Sequence, residues 1–210
     1  MMSVTGWSIR LYEAADEVVW AIKLNALWIG FTLVGGVALG IGPATLAAYS
    51  LARRRSSGES FHALPAFRTA FRREFRRGCL VVLPLVAAAV LLIGNYLYFA
   101  SLGTKASLPR LASLVALVAL GVIAAYLLPM AVHYDLKVRE LLPKASLVAL
   151  ARPASSLLLL FVAVSIAYVS GRFPVLGIVL AGGGWIQLNT WLCLRFFAEN
   201  EARLHLKGNS

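Results

Sequence analysis

From Leu24 to Ala52 the chain carries no charged residue. Built as a single α-helix, that run would be about 44 Å long, against a hydrocarbon core roughly 30 Å thick. It therefore belongs in a bilayer and has to be interrupted on the way. Gly35-Gly36, Gly40, Gly42 and Pro43 supply the interruption. Proline suits the first position of a new helix, where its missing N–H would be unpaired anyway. The expectation is a first span over about 18–39, a tight break at Gly42 and Pro43, and a short helix from Pro43 to Arg55 on the membrane surface. A re-entrant hairpin stays open as the alternative: Asn25 to Leu39 enters, Pro43 to Ala52 returns, and both ends keep to one side. Non-helical backbone at depth then needs protein cover.

The remainder of the chain is of the same kind. Hydrophobic residues make up 60% and charged ones 14%, where a soluble domain carries roughly 25% charged residues. Uncharged stretches predict further spans at 79–100, 111–132, 154–170 and 175–194. The fold class is an all-α membrane protein, one polytopic domain over 1–210 with about five transmembrane helices and cytoplasmic amphipathic basic helices. Leu11, Ala15, Val18 and Ile22 fall at helical spacing before the first span and form an amphipathic lead-in. Glu13, Asp16 and Glu17 stand where a cleaved signal would be positive, so the first span is expected to be retained.

The basic residues set an orientation. After Arg53-Arg54-Arg55 and the polar turn Ser56–Ser60, Pro65 can open a helix on which Phe67, Phe71 and Phe75 share about 80° of arc. Arg68, Arg72, Arg73, Arg76 and Arg77 take the rest of its circumference. This reads either as a helix from Pro65 to Arg77 lying on the bilayer and meeting a partner or anionic lipid headgroups, or as a topology determinant that simply keeps the loop inside. Glu74 falls on the apolar side, which points to part of that face packing on protein. Fifteen of the twenty Lys and Arg lie in 53–77, 133–153 and 195–210. Five crossings put these segments on one side, which the positive-inside rule makes cytoplasmic, with the C-terminus inside and the N-terminus outside. A net charge of +11 distributed between apolar spans does not argue for nucleic acid.

Little in the chain suggests chemistry. His62, His133 and His205 are scattered, and no metal, phosphate-loop or nucleophile motif is present. Cys79 and Cys193 read as small apolar residues. Gly182-Gly183-Gly184 reads as a site of close helix packing or a kink. His133 and Asp135 do not share a helical face. The i,i+4 spacings His133 to Lys137 and Asp135 to Arg139 suggest a solvated, ion-paired helix end. The polar residues inside spans are Asn25, Asn95, Gln187 and Asn189, beside Thr32, Ser165 and Thr190, and no charge lies at a span centre. Asn25 and Asn95 read as helix-to-helix bridges, worth about 0.6 kcal/mol each on average. No catalytic residue, cofactor or metal site is expected, and the chain is not read as an enzyme. Two functions remain: an accessory or scaffolding protein whose basic helices meet headgroups or a partner, and a small, oligomeric transporter or ligand-binding protein. A polar cavity joining Asn25, Asn95 and Gln187 would favour the second.

One further pattern is present: Asn25-Ala-Leu-Trp28, Gly42-Pro-Ala-Thr-Leu-Ala-Ala-Tyr49, a basic turn with Gly58-Glu59, Phe67-x3-Phe71-x3-Phe75, Asn95-Tyr96, and Tyr126-x2-Pro129 with Tyr134-Asp135. In this order the residues resemble the YesL-like family of bacterial integral membrane proteins, a domain family of unknown function. The resemblance covers nearly the whole chain and is strongest from Asn25 to Gly78. It implies a multi-pass protein of the bacterial cell (inner) membrane and an accessory role near carbohydrate uptake, with a sugar permease or another membrane protein as partner. It carries over no catalytic residue.

Overall fold

A computed structural model describes residues 4–134 and 136–208, with the side chains of all but 4–6, 9, 104, 105 and 197–208. The described residues are helical almost throughout: α1 (Val4–Val34), α2 (Ile41–Ser56), α3 (Ala63–Arg73), α4 (Phe75–Ser101), α5 (Ser107–His133), α6 (Val138–Ala151), α7 (Pro153–Arg172), the short α8 (Pro174–Leu176), a π-helical turn (Gly177–Ala181) and α9 (Gly182–Gly208). Five segments are long and apolar enough to cross a membrane: Arg10–Val34, Phe75–Ser101, Ser107–His133, Pro153–Arg172 and Pro174–Phe196. The last four match the expected spans to within a few residues. The lead-in runs unbroken into the first apolar segment, as its spacing predicts.

The break in the long apolar run lies earlier than Gly42 and Pro43. α1 ends at Val34, not near residue 39, and α2 begins at Ile41 with Pro43 as its third residue. The turn is made by Gly36 (φ 75°) and Val37 (φ 50°). A β-branched residue in the left-handed region is strained. Gly35 and Gly40 close the turn, their backbones so near that a Cβ on either would overlap the other.

α2 is not a surface helix. Every residue from Gly42 to Ala52 is buried, and α1, α3, α4, α5 and α9 all pack around it. Its small residues Ala44, Ala47, Ala48 and Ala52 are spaced i, i+3, i+4 and i+8 and so lie on one side of the helix, where a neighbouring helix can approach closely. A helix without a polar face buries best in the centre. Arg53–Arg55 end the buried stretch.

α1 and α2 form an antiparallel pair. At its base the Arg55 guanidinium donates to Asp16 at 2.7 Å and Glu17 at 3.1 Å. Midway, Trp28 Nε1 donates to Thr45 Oγ1 at 3.1 Å. At the tip, the Leu39 carbonyl lies 3.5 Å from Cys79 Sγ, and a Cβ on Gly42 would stand 2.7 Å from the Gly78 carbonyl carbon. From Gly78 to Ser101, α4 continues for about 35 Å. The tip meets the arginine-rich beginning of α4, a contact that either reading allows; it is the return of Arg55 to Asp16 and Glu17 that corresponds to the hairpin alternative. Asp16 and Glu17 share an ion cluster with Arg55, although the five-crossing reading puts them on opposite faces.

The basic helix also differs from expectation. It stops at Arg73, and Phe75, Arg76 and Arg77 belong to α4. Glu74 (φ −88°, ψ 7°) makes the joint. Its carboxylate is 13% exposed and accepts from Arg73 Nε at 2.9 Å. α4 and α5 then run antiparallel, tied by Arg77 donating to the Leu136 carbonyl at 3.0 Å and, at the other end, by Arg110 donating to Tyr96 Oη at 3.1 Å. Helix α5 ends at His133, so the expected i,i+4 pairs beyond it are not on one helix. Asp135 lies outside the described residues. The ion pair found nearby is Lys144 to Glu140 at 2.9 Å on α6. Pro143 sits inside α6 without ending it, while Pro153 opens α7. Beyond the last apolar segment, α9 continues as helix to Gly208.

Candidate functional site

Three of the four polar residues expected inside spans meet at α9. A π-helical turn, Gly177–Ala181, precedes this helix. Asn25, 3% exposed, bonds to the backbone there from α1: its Nδ2 donates to the carbonyls of Ile178 at 2.7 Å and Val179 at 3.1 Å, and its Oδ1 accepts from the Gly183 N–H at 3.1 Å. The approach requires glycine. A Cβ on Gly182 would lie 2.5 Å from Asn25 Oδ1, and one on Gly183 would overlap the Ala21 carbonyl oxygen. The reading as a close-packing site holds for Gly182 and Gly183, while a Cβ on Gly184 would meet only the Leu180 side chain, at 3.9 Å.

One turn on, Gln187 accepts from Trp20 Nε1 at 3.1 Å. Asn189, fully buried, donates to Tyr49 Oη at 2.8 Å and to the Ala125 carbonyl at 3.0 Å, joining α2, α9 and α5. Asn95 is not part of this network. It is exposed on α4, so the cavity that would link it with Asn25 and Gln187 does not form. Tyr49, Trp20 and Trp28 were not singled out as network members by sequence. The Gly42–Tyr49 pattern contains the first, but only the burial of α2 gives its hydroxyl a partner. Among the described residues no His, Cys, Asp or Glu group could hold a metal ion.

The second feature is a basic platform built by α2, α3 and the first turn of α4. Phe67 and Phe71 are buried against Phe31 of α1, with ring centroids 4.9 and 5.3 Å apart. They do not enter the headgroups. Their burial, with Glu74 in the joint, shows that this face packs on the same chain, while Phe75 stays partly exposed. Anchored in this way, α3 turns Arg68, Arg72 and Arg73 outward, and Arg76 follows on α4. Arg54 stacks on Phe61 at 4.5 Å and pairs with Glu59 at 2.7 Å. Arg55 lies 4.9 Å over the Trp20 ring. Partial burial acts against its charge, but the hydrogen bonds to Asp16 and then Glu17 outweigh that and hold its pKa above the ordinary arginine value. Between α2 and α3 lies a cavity of about 440 Å³ lined by Ser50, Arg53, Arg54, Thr69 and Arg73 among others. The arrangement offers guanidinium groups on a fixed scaffold, a geometry suited to phosphate or carboxylate.

Comparison with known proteins points to the same region. Residues 21–96 match a family described as a protein of unknown function, DUF624. This stretch holds most of the hairpin, the platform and most of α4. The uncharacterized protein YesV of Bacillus subtilis (strain 168) is 31% identical over 209 residues, covering 94% of this chain and 96% of its own. The uncharacterized protein YesL of the same organism is 31% identical over 144 residues, covering 67% of this chain and 68% of its own. No solved structure matches.

Proposed function

This chain belongs to the YesL-like family of unknown function (DUF624), and from that premise we propose that it is a non-enzymatic accessory protein of the bacterial cell membrane. Its working surface is the platform of Arg68, Arg72, Arg73 and Arg76, presented at the cytoplasmic face to anionic headgroups and to a membrane partner. The observation that carries this reading is the division of labour among polar residues. Asn25, Gln187 and Asn189 are engaged in bonds between helices, while the arginines stand outward on a helix whose apolar face is already used. The partner is a permease of the carbohydrate-uptake kind, which rests on the family resemblance alone. Co-purification tests it. A tagged chain should bring down a sugar permease, and Arg68→Gln with Arg72→Gln and Arg76→Gln should reduce the yield several-fold without changing thermal stability. Undiminished recovery with the triple variant, or no permease with the parent, would refute it.

The orientation proposed with this function keeps the N-terminus inside. Since α1 and α2 are antiparallel, Arg10 and Lys23 join the fifteen basic residues already assigned to the cytoplasm, making seventeen of twenty on the positive side. In a variant lacking Cys79 and Cys193, single cysteines at Tyr12 and Ser57 should both resist an impermeant thiol reagent in intact cells, and one at Ser107 should react. Labelling of Tyr12→Cys alongside Ser107→Cys would restore the five-crossing topology.

A further inference from the structure

We infer that the cavity between α2 and α3 is a binding site for one small, soluble phosphate monoester. Each helix gives it one face. Ser50, Arg53 and Arg54 stand at i, i+3 and i+4 on α2, and Ala66, Ala70 and Arg73 at i, i+4 and i+7 on α3. The small side chains of Ser50, Ala66 and Ala70 form the floor and leave a volume of about 440 Å³ below the arginines. Ser50 is only 8% exposed, buried by its own helix and its neighbours except where it lines the cavity. Thr69 Oγ1 donates to the Pro65 carbonyl at 3.0 Å, so Thr69 serves as wall and not as donor.

Two of the three arginines are already paired, and what they keep identifies the ligand. Arg54 donates from Nε to Glu59 at 2.7 Å and stacks on Phe61. Arg73 donates from Nε to Glu74 at 2.9 Å. In each the carboxylate takes the Nε hydrogen, and the two terminal nitrogens keep theirs. Arg53 has no ion-pair partner among the described residues, and Arg55 is turned away to Asp16 and Glu17. Three guanidinium groups against Glu59 and Glu74 leave a single positive charge, a balance that suits one phosphate group and not a polyanion. Donors reach the cavity from both walls and from the Ser50 hydroxyl. A phosphate monoester directs three oxygens to the corners of a tetrahedron and can accept from α2 and α3 together, whereas a planar carboxylate is satisfied by one fork. An acyl chain has no seat. The apolar part of the lining is Pro65, Ala66, Ala70 and a fully buried Leu51, which favours a soluble ester over the same group on a lipid. This site goes beyond the contacts proposed for the platform and does not depend on the orientation in the membrane.

The test is isothermal titration of the intact chain in phosphatidylcholine nanodiscs with glycerol 3-phosphate, and with acetate as the carboxylate probe. The parent should bind one glycerol 3-phosphate, at least tenfold more tightly than acetate. Arg53→Gln should weaken that binding about tenfold, as should Thr69→Phe, which fills the cavity and removes neither a charge nor a ligand donor. Arg172→Gln removes one exposed charge at the end of α7, far along the chain from the cavity, and should leave the affinity unchanged. Phosphatidic acid added to the nanodiscs carries the same phosphate group and should not displace the soluble ester. No saturable binding by the parent, equal binding of acetate, or parent-like affinity in either cavity variant overturns the site. An equal loss in Arg172→Gln overturns it in favour of diffuse attraction, and displacement by phosphatidic acid overturns it in favour of a lipid occupant. Thermal midpoints identify a variant that fails to fold, and the other cavity variant then decides. The permease test changes Arg68, Arg72 and Arg76, none of which lines the cavity, so the two proposals fail separately.

Discussion

Gly42→Ala alone should destabilise the protein by about 3 kcal/mol, at the upper end of what a single added methyl group does in a packed interior. The reason is the identity of the atoms it meets. A Cβ at this position would stand 2.7 Å from the carbonyl carbon and oxygen of Gly78 and 2.9 Å from the Cys79 nitrogen. Backbone atoms cannot swing away as the end of a flexible side chain can, so α2 and α4 would have to separate. Since α2 contacts α1, α3, α5 and α9 as well, that separation would loosen the whole bundle. Pro43→Ala makes the informative comparison. If the helix break depended on Pro43, its loss would be the more damaging. The turn is instead made by Gly35–Gly40, so Pro43→Ala should cost only about 1 kcal/mol, through the freer unfolded chain and a little lost contact. Thermal midpoints in detergent separate the two cases. A Gly42→Ala protein melting with the parent would mean that the α2–α4 contact is not tight in solution.

Asn25→Leu should be nearly as costly, about 2–3 kcal/mol, even though it keeps the branched outline of the side chain. Three backbone groups depend on this one amide: the carbonyls of Ile178 and Val179 and the N–H of Gly183. Helix-to-helix hydrogen bonds in membranes are individually weak, but buried groups left unpaired lose their full solvation. Asn25→Asp should be worse than Asn25→Leu. A carboxylate can still accept from Gly183, but it turns an oxygen toward two carbonyl oxygens in place of a donor. Denaturant titration followed by tryptophan emission reports on it directly, because Trp20, Trp28 and Trp185 lie in or beside the affected region. If Asn25→Leu unfolds at the parent's midpoint, the π-helical turn finds other partners and does not rely on α1.

Different parts of the molecule were legible for different reasons. The four spans after residue 74 follow from length and hydropathy, since a bilayer imposes both. The glycine triplet was legible because few residues other than glycine permit backbones to touch. Asn25 and Asn189 stood out as polar residues in apolar surroundings, but Asn95 was read in the same way, as a bridge between helices. That failed because exposure on α4 depends on which helices pack beside it, and a lone span carries no record of its neighbours. The Phe67–Phe71 face was read as amphipathic, correctly, but its apolar side had two possible occupants. Lipid and α1 are equally hydrocarbon, so periodicity could not choose between them. Glu74 gave the one hint, because a carboxylate is poorly placed against lipid.

The sequence by itself determined that this chain is a helical membrane protein of the YesL-like family, with its basic residues gathered between apolar spans and a compulsory break in the run from Leu24 to Ala52. The family rests on the ordered motifs from Asn25 to Asp135; the other properties follow from local composition weighed against a fixed hydrocarbon thickness. Only the tertiary structure decided that α2 turns back along α1 and becomes the inner helix, that Asp16 and Glu17 meet Arg55, and that the arginine platform is anchored on Phe31. A helix of small apolar residues is equally compatible with lipid and with protein on every side, and the choice between them is made by contacts distant in sequence.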